Sequence, residues 1–162
     1  MQKIIGVMGA GEVNEEEKQE AFELGKLLAE NNWVLLTGGR DSGVMDAASQ
    51  GARSAGGMTI GVIPDSDLRR LSEAVELPIV TGMGGARNAI NVLSSHVVIA
   101  CRGQSLGTIS EIAFALKAAK PVILLNCIPE CVALFKKIAG ERVLLAESPE
   151  EAVQLTKELL PF

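Results

Sequence analysis

Short apolar runs rich in β-branched residues alternate along the chain with longer amphipathic segments. The apolar runs predict seven strands, and the segments with apolar residues three or four positions apart predict helices. The predicted strands are Lys3–Met8, Trp33–Thr37, Met58–Ile63, Leu77–Thr81, His96–Ala100, Val122–Leu125 and Val143–Ala146. The predicted helices run from Asn14 to about Asn31, over Val44–Ala55, Ala86–Ser94, from Thr108 to Lys120 before Pro121, over Pro129–Ala139, and onward from Ser148.

Strands that alternate with helices are typical of a parallel sheet with helices on both faces. The pattern therefore predicts an α/β, Rossmann-like, doubly wound sheet that is mostly parallel and has about seven strands. The length fits one domain over residues 1–162, which would be a single nucleotide- or phosphate-binding unit. The polar stretch Pro64–Glu76 is predicted as a loop with a short helical turn at Asp67–Ala74, and it either covers a site or simply connects two strands.

Three of the strand-to-helix junctions are rich in glycine: Gly38–Gly43, Gly82–Gly85 and Gly103–Gly107. Right-handed crossovers bring all such loops to one edge of a parallel sheet, where ligands bind at the switch point of strand order. We therefore expect the three loops to converge on one crevice. The candidate ligand-binding residues are Gly38, Gly39, Arg40, Gly43, Met83, Gly84, Gly85, Asn88, Ser105, Leu106, Gly107 and Thr108.

The segment from His96 to Pro121 is a predicted strand, a glycine-containing loop and a helix, which together present free N–H groups to an oxyanion. Glu111 near the start of this helix has two interpretations. Its spacing from Thr108 matches a capping box, in which the carboxylate would accept a backbone N–H bond. Alternatively, it is a carboxylate beside a bound phosphate that faces the rest of the ligand, and both interpretations can hold together.

Arg87 lies in the first turn of another predicted helix, where a positive charge is unfavourable to the helix dipole. Such a local misfit can mark a functional site. The alternative is a surface arginine paired with a nearby carboxylate. Asn88 and Asn91 follow on the same helix, and exposed polar positions would explain them equally well.

The charge, the cysteine and histidine counts and the length of the apolar runs exclude several classes of function for this chain. There are 15 Lys and Arg against 20 Asp and Glu, giving a net charge of −5, and no basic stripe suggests nucleic-acid binding. Three cysteines without a Cys-x-x-Cys pair and one histidine predict no metal site and reduced thiols in a cytoplasmic protein. We interpret Cys101 as a small residue at the edge of the core rather than as a catalytic nucleophile. No apolar run approaches the ~20 residues of a membrane span.

The segments GGRDSGVMDAASQGA and GMGGARNAINVLSSHVVIACRGQSLGTISEIAFALKAAKPV resemble the LOG-like proteins of the SLOG superfamily, often labelled "possible lysine decarboxylase". This family includes cytokinin-activating phosphoribohydrolases and molybdenum cofactor carrier proteins. The resemblance extends from about Lys3 to Leu125. It implies a Rossmann-like fold, a phosphate-bearing ligand and a homodimer or homotetramer.

In the enzymes of the family one motif reads Pro-Gly-Gly-x-Gly-Thr-x-x-Glu. Gly107, Thr108 and Glu111 match it, whereas Gly103-Gln104-Ser105 replaces the Pro-Gly-Gly and Ser110 replaces the usual acidic residue. The arginine of the enzymes corresponds best to Arg87. These versions of the motifs are closer to the carrier branch.

Two functions from different classes remain open. The resemblance implies an enzyme that hydrolyses the N-glycosidic bond of a nucleoside 5′-monophosphate such as AMP, with Glu111 and Arg87 as catalytic residues. The amides of Gly107 and Thr108 would hold the phosphate. The alternative is a non-catalytic carrier for molybdenum cofactor or a nucleotide, in which the same site binds without chemistry. Neither function requires a further cofactor.

Overall fold

The computed structural model describes residues 1–160, which contain seven strands and six α-helices. The last two residues of the predicted 1–162 domain lie outside that part. The strands are β1 (Ile4–Met8), β2 (Val34–Thr37), β3 (Thr59–Ile63), β4 (Leu77–Val80), β5 (Val97–Cys101), β6 (Val122–Leu125) and β7 (Val143–Ala146). The helices are α1 (Glu15–Glu30), α2 (Gly43–Ser54), α3 (Asn88–Ser94), α4 (Leu106–Lys117), α5 (Pro129–Ala139) and α6 (Pro149–Leu159).

All strands form one sheet in the order β4-β3-β2-β1-β5-β6-β7, and every neighbouring pair is parallel. The predicted doubly wound, parallel α/β fold is therefore confirmed. The chain moves outward from β1 through β4 and then returns to β5 on the other side of β1. The switch point thus lies between β1 and β5, which pair from Ile5 with Val97 to Met8 with Ala100.

Helices cover both faces of the sheet. One core cluster contains buried residues of α1, α2 and α6, and the other contains buried residues of α3, α4 and α5. The largest fully buried side chains are all Ile, Leu or Met. Both faces of the central strands are thus sealed by aliphatic packing, which explains why β1, β2, β5 and β6 are nearly continuous apolar runs.

The connection between β3 and β4 does not contain the helical turn predicted at Asp67–Ala74. Its backbone forms isolated turns, from the Leu71 N–H to the Leu68 carbonyl and from the Val75 N–H to the Ser72 carbonyl, and bonds otherwise to the β2 loop and to side chains. The Ser72 N–H donates to the Gly39 carbonyl at 2.9 Å, and Arg40 forms an antiparallel bridge with Leu71. The Arg69 N–H donates to the Asp67 carboxylate at 3.0 Å, a local side-chain bond that competes with helix formation.

Helices α1 and α2 pack so closely that glycine is required at their contact. A Cβ on Gly51 would overlap the carbonyl of Phe22, and one on Gly25 would overlap the carbonyl of Ala48. Within residues 1–160, no helix combines the length and apolar character needed to cross a membrane.

We expect Gly51→Ala to lower the free energy of unfolding by about 1–3 kcal/mol, because the new methyl group forces the two helices apart. Urea denaturation measures this loss. Gln50→Ala, on the exposed side of the same helix, should change stability by no more than about 0.5 kcal/mol. Equal effects of the two substitutions would contradict the close-packing argument.

Candidate functional site

A cavity of about 420 Å³ opens at the carboxyl edge of the sheet beside the switch point. This volume lies within the range typical of small-molecule sites. The loops after β1, β2, β3, β4 and β5 all contribute to its lining. The lining residues are Val7, Met8, Gly9, Ala10, Gly11, Gly38, Arg40, Met45, Pro64, Asp65, Gly84, Gly85, Arg87, Asn88, Ser105, Gly107, Thr108 and Glu111.

Helix α4 begins at one wall of this cavity. Ser105 is its N-cap, and the Ser105 hydroxyl accepts the Thr108 N–H at 3.2 Å. The interpretation of Thr108 and Glu111 as a capping box is therefore wrong, because the N-cap is Ser105, three residues before Thr108. The amides of Leu106 and Gly107 now fall in the first turn, which has no intrahelical acceptor and carries the positive end of the helix dipole.

Glu111 is therefore not part of the helix cap and lies in the second turn of α4. It is buried, and its Oε1 accepts a hydrogen bond from Asn91 Nδ2 at 2.9 Å. Asn91 is completely buried, so the interpretation of this residue as an exposed polar position is wrong. The other carboxylate oxygen, Oε2, has no protein donor within residues 1–160 and is not sealed from solvent, so it can meet a ligand.

Arg87 ends a short 3₁₀ turn, Gly84–Arg87, that precedes α3. The arginine is 9% exposed, so the alternative of a surface arginine is wrong. Its Nη1 donates to Asn88 Oδ1 at 3.0 Å and lies 3.8 Å from Glu111 Oε1. Its Nε is buried without an acceptor within the described residues. Its Nη2 also has no acceptor within residues 1–160 and, unlike Nε, is not sealed from solvent, so it can meet a bound anion.

Gly38 in the β2 loop makes room for the Arg87 guanidinium. A Cβ at Gly38 would lie 2.6 Å from Nη1 and 2.7 Å from Nη2 of Arg87. The arginine therefore links three parts of the site: the β2 loop, the start of α3 and the carboxylate on α4. Glycine at this position is explained by the approach of a side chain rather than by flexibility.

Burial dominates the electrostatics of the site. It raises the pKa of Glu111, while the Asn91 hydrogen bond and the Arg87 charge oppose this rise. It likewise lowers the pKa of Arg87, with Glu111 opposing this change and Arg40 adding to it. Arg40 is itself ion-paired with Asp65 at 3.1 Å. The cavity wall thus carries two arginines and two carboxylates. A ligand could place an anionic group near the arginines and its own N–H donors near a carboxylate.

Most of the predicted site residues meet in this cavity, and four do not line it. Gly39 packs against Gly61 and Ile63, and Gly43 packs against the carbonyl of Ala10. The side chains of Met83 and Leu106 are 51% and 90% exposed and lie outside the lining. Gly39 and Gly43 therefore allow close packing of the loops and do not line the cavity. The expectation that the amides of Gly107 and Thr108 together hold a phosphate is corrected, because the Thr108 N–H donates to the Ser105 hydroxyl and only the Gly107 amide is left open.

Sequence reasoning missed the loop after β1 as part of the site, and it left open whether the stretch Pro64–Glu76 covers a site, which its first two residues do. Gly9, Ala10 and Gly11 line the cavity, and Pro64 and Asp65 close its far side. The Gly-Ala-Gly sequence directly after the first strand is a signal that could have found the first of these, since ligands bind where the strand order reverses. Nothing in the Pro64–Asp65 dipeptide alone points to a site.

Cys101 lies at the end of β5 outside the cavity lining. Burial raises its pKa to about 12, so the thiol is not activated, as expected for a residue at the edge of the core. Within residues 1–160, no three His, Cys, Asp or Glu side chains are grouped as metal ligands.

The family model described as the SLOG cluster4 family matches residues 2–153, so the chain belongs to this family. The resemblance drawn from the glycine motifs is thereby confirmed. Among solved structures, the molybdenum cofactor binding protein of the phototrophic bacterium Rippkaea orientalis is similar with a TM-score of 0.96 and 51% identity, covering 99% of both chains.

The molybdenum cofactor carrier protein of Chlamydomonas reinhardtii is similar with a TM-score of 0.90 and 46% identity, covering 98% of both chains. An uncharacterized protein of Archaeoglobus fulgidus is 45% identical over 150 residues, which are 92% of this chain and 91% of that protein. Both of these solved structures, from Rippkaea orientalis and Chlamydomonas reinhardtii, are thus described by the binding or carriage of molybdenum cofactor.

We expect Asn91→Ala to lower the free energy of unfolding by about 1–3 kcal/mol, and by more at pH 8 than at pH 5. Without the Asn91 donor the pKa of Glu111 in the folded variant rises further above its ordinary value. The folded variant then keeps a proton that the unfolded chain releases, so its stability falls more steeply as pH rises. Urea denaturation at the two pH values measures the difference.

The control places Asn91→Ala in a Glu111→Gln background, where no carboxyl group titrates. The extra loss of stability at pH 8 should disappear there. A loss that is independent of pH in the parent background would show that Asn91 does not act through the charge of Glu111.

Proposed function

We propose that this protein binds molybdenum cofactor, a pterin that carries a phosphate, and carries it without converting it chemically. The observation that carries the proposal is the Arg87 guanidinium in the cavity wall, whose Nη2 has no acceptor within residues 1–160, beside the first turn of α4. The names of the relatives from Rippkaea orientalis and Chlamydomonas reinhardtii support the same ligand.

The phosphate would occupy the end of the cavity between Arg87 and α4. The amide of Gly107, in the first turn of α4, would donate to it there, and the helix dipole favours negative charge. No side chain fills this space, since a Cβ on Gly107 would meet nothing within 4 Å. The Ser105 hydroxyl is engaged with Thr108 and so stabilises the helix start instead of competing for the phosphate.

The pterin ring would lie along the rest of the cavity, over the glycines after β1. A pterin presents ring and amino N–H donors, and the free Oε2 of Glu111 is a suitable acceptor for them. The other oxygen is held by Asn91, which fixes the orientation of the carboxylate. Glu111 thus acts as a recognition residue in a carrier, where the hydrolase interpretation would make it catalytic.

The arrangement of carboxylates favours carriage over hydrolysis. Glycosidic hydrolysis commonly uses two carboxylates in different protonation states. Here the second carboxylate, Asp65, is paired with Arg40 at 3.1 Å. Ser110 replaces the acidic residue of the resembled enzymes, and its hydroxyl donates to the Gly107 carbonyl at 2.7 Å. The phosphoribohydrolase remains the second candidate, with AMP as its test substrate.

The decisive test incubates the protein with molybdenum cofactor under anaerobic conditions, and separately with a panel of nucleoside 5′-monophosphates led by AMP. We expect bound pterin to be recovered intact by mass spectrometry and no free base to appear. Free adenine from AMP, absent with Glu111→Gln, would overturn the carrier function in favour of the hydrolase. No retention of the pterin would also overturn the proposal.

We expect Gly107→Ala to separate ligand binding from stability. The added methyl group meets nothing in the protein, so the free energy of unfolding should stay unchanged or rise by up to about 1 kcal/mol. The same methyl group projects into the proposed phosphate position, so cofactor binding should weaken at least tenfold, about 1.4 kcal/mol. Denaturation and calorimetric titration measure the two effects.

Gln154→Ala, exposed on α6 and outside the cavity, is the matched control and should bind as the parent protein does. Unaltered cofactor binding by Gly107→Ala would place the phosphate elsewhere. The homodimer or homotetramer and the cytoplasmic location expected from the resemblance and the composition remain predictions.

A further inference from the structure

Building on the proposed carrier function, we propose that the cofactor cavity continues into a second compartment that binds a nucleotide. The preferred ligand is then a pterin joined to a nucleotide through a pyrophosphate, rather than the pterin monophosphate alone. The second compartment lies over the connection between β3 and β4.

Two adjoining cavities supply the space. The second one has a volume of about 710 Å³ and shares three lining residues, Arg40, Pro64 and Asp65, with the cofactor cavity. A free phosphate would leave most of this volume empty, whereas a base and a ribose would use it. The two cavities together therefore suit a ligand with two bulky parts and a charged link.

Arg40 stands at the boundary between the two compartments. Its backbone is fixed by the bridge with Leu71, and its Nη2 donates to Asp65 Oδ1 at 3.1 Å. The Nε and Nη1 atoms of Arg40 have no protein acceptor within residues 1–160. A guanidinium with two free donors at the joint between compartments matches the oxygens of a pyrophosphate.

The outer compartment carries a small excess of positive charge. Its lining contains three arginines, Arg40, Arg69 and Arg70, against the two aspartates Asp65 and Asp67. Asp67 occupies Nε and Nη2 of Arg69, at 3.0 and 2.7 Å. Arg70 Nε donates to Asp41 at 3.2 Å, and neither of its Nη groups has an acceptor within the part of the chain that the structure describes. Arg70 is therefore the side chain best placed to meet the second phosphate.

The experiment compares two ligands by calorimetric titration at fixed ionic strength, both under anaerobic conditions. One is molybdenum cofactor in its monophosphate form, and the other is the same pterin joined by a pyrophosphate to guanosine monophosphate. We expect the dinucleotide form to bind at least tenfold more tightly. Arg70→Ala should remove most of this advantage and leave the affinity for the monophosphate form within twofold.

Lys137→Ala is the matched control, because it removes one positive charge from an exposed position on α5 outside both cavities. The Lys137→Ala variant should bind both the monophosphate form and the dinucleotide form as tightly as the parent protein does. Equal binding of the two ligands, or weaker binding of the dinucleotide, would overturn the second compartment while leaving the carrier function intact. An equal loss of both affinities in Arg70→Ala would also overturn it. If neither ligand binds, the carrier function itself fails.

Discussion

The parallel pairing of β1 with β5 is the constraint on which the rest of the structure depends. Because these strands are neighbours in space but separated by three intervening strands in sequence, the chain must leave the sheet centre in one direction and return in the other. Right-handed connections then place the loops after β1 to β5 at one edge. The cavity exists because those loops diverge at the switch point, where no helix covers the strand ends.

Two buried charged side chains in this cavity, Arg87 and Glu111, do not favour the stability of the folded protein. Burying an arginine and a glutamate is unfavourable unless both are paired and hydrogen-bonded. Arg87 and Glu111 lie 3.8 Å apart, and each makes one hydrogen bond to an asparagine of α3, yet Arg87 Nη2 has no acceptor within residues 1–160. An incompletely satisfied group of this kind is what a binding site needs, since the ligand completes it.

The site residues differ in how far they could be predicted from the sequence. Gly107, Thr108 and Glu111 form a recognisable spacing, and the convergence of glycine loops follows from the alternation of strands and helices. The capping role of Ser105 was missed because Thr108 and Glu111 also satisfy the capping-box spacing, and local sequence cannot choose between overlapping caps. Asn91 was missed for another reason: its burial depends on packing between α3 and α4.

The sequence by itself determined the class of fold, the seven strands, the six helices and the edge of the sheet at which the cavity opens. These follow from the periodicity of apolar residues and from glycine at the turns, which are local properties. The tertiary structure alone decided that Arg87 lies over Gly38, that Glu111 faces Arg87 and Asn91, and that the β1 loop and Asp65 close the cavity. Each of these contacts joins residues that are distant in sequence. Their geometry is set by the strand order and by helix packing, and no local pattern encodes it.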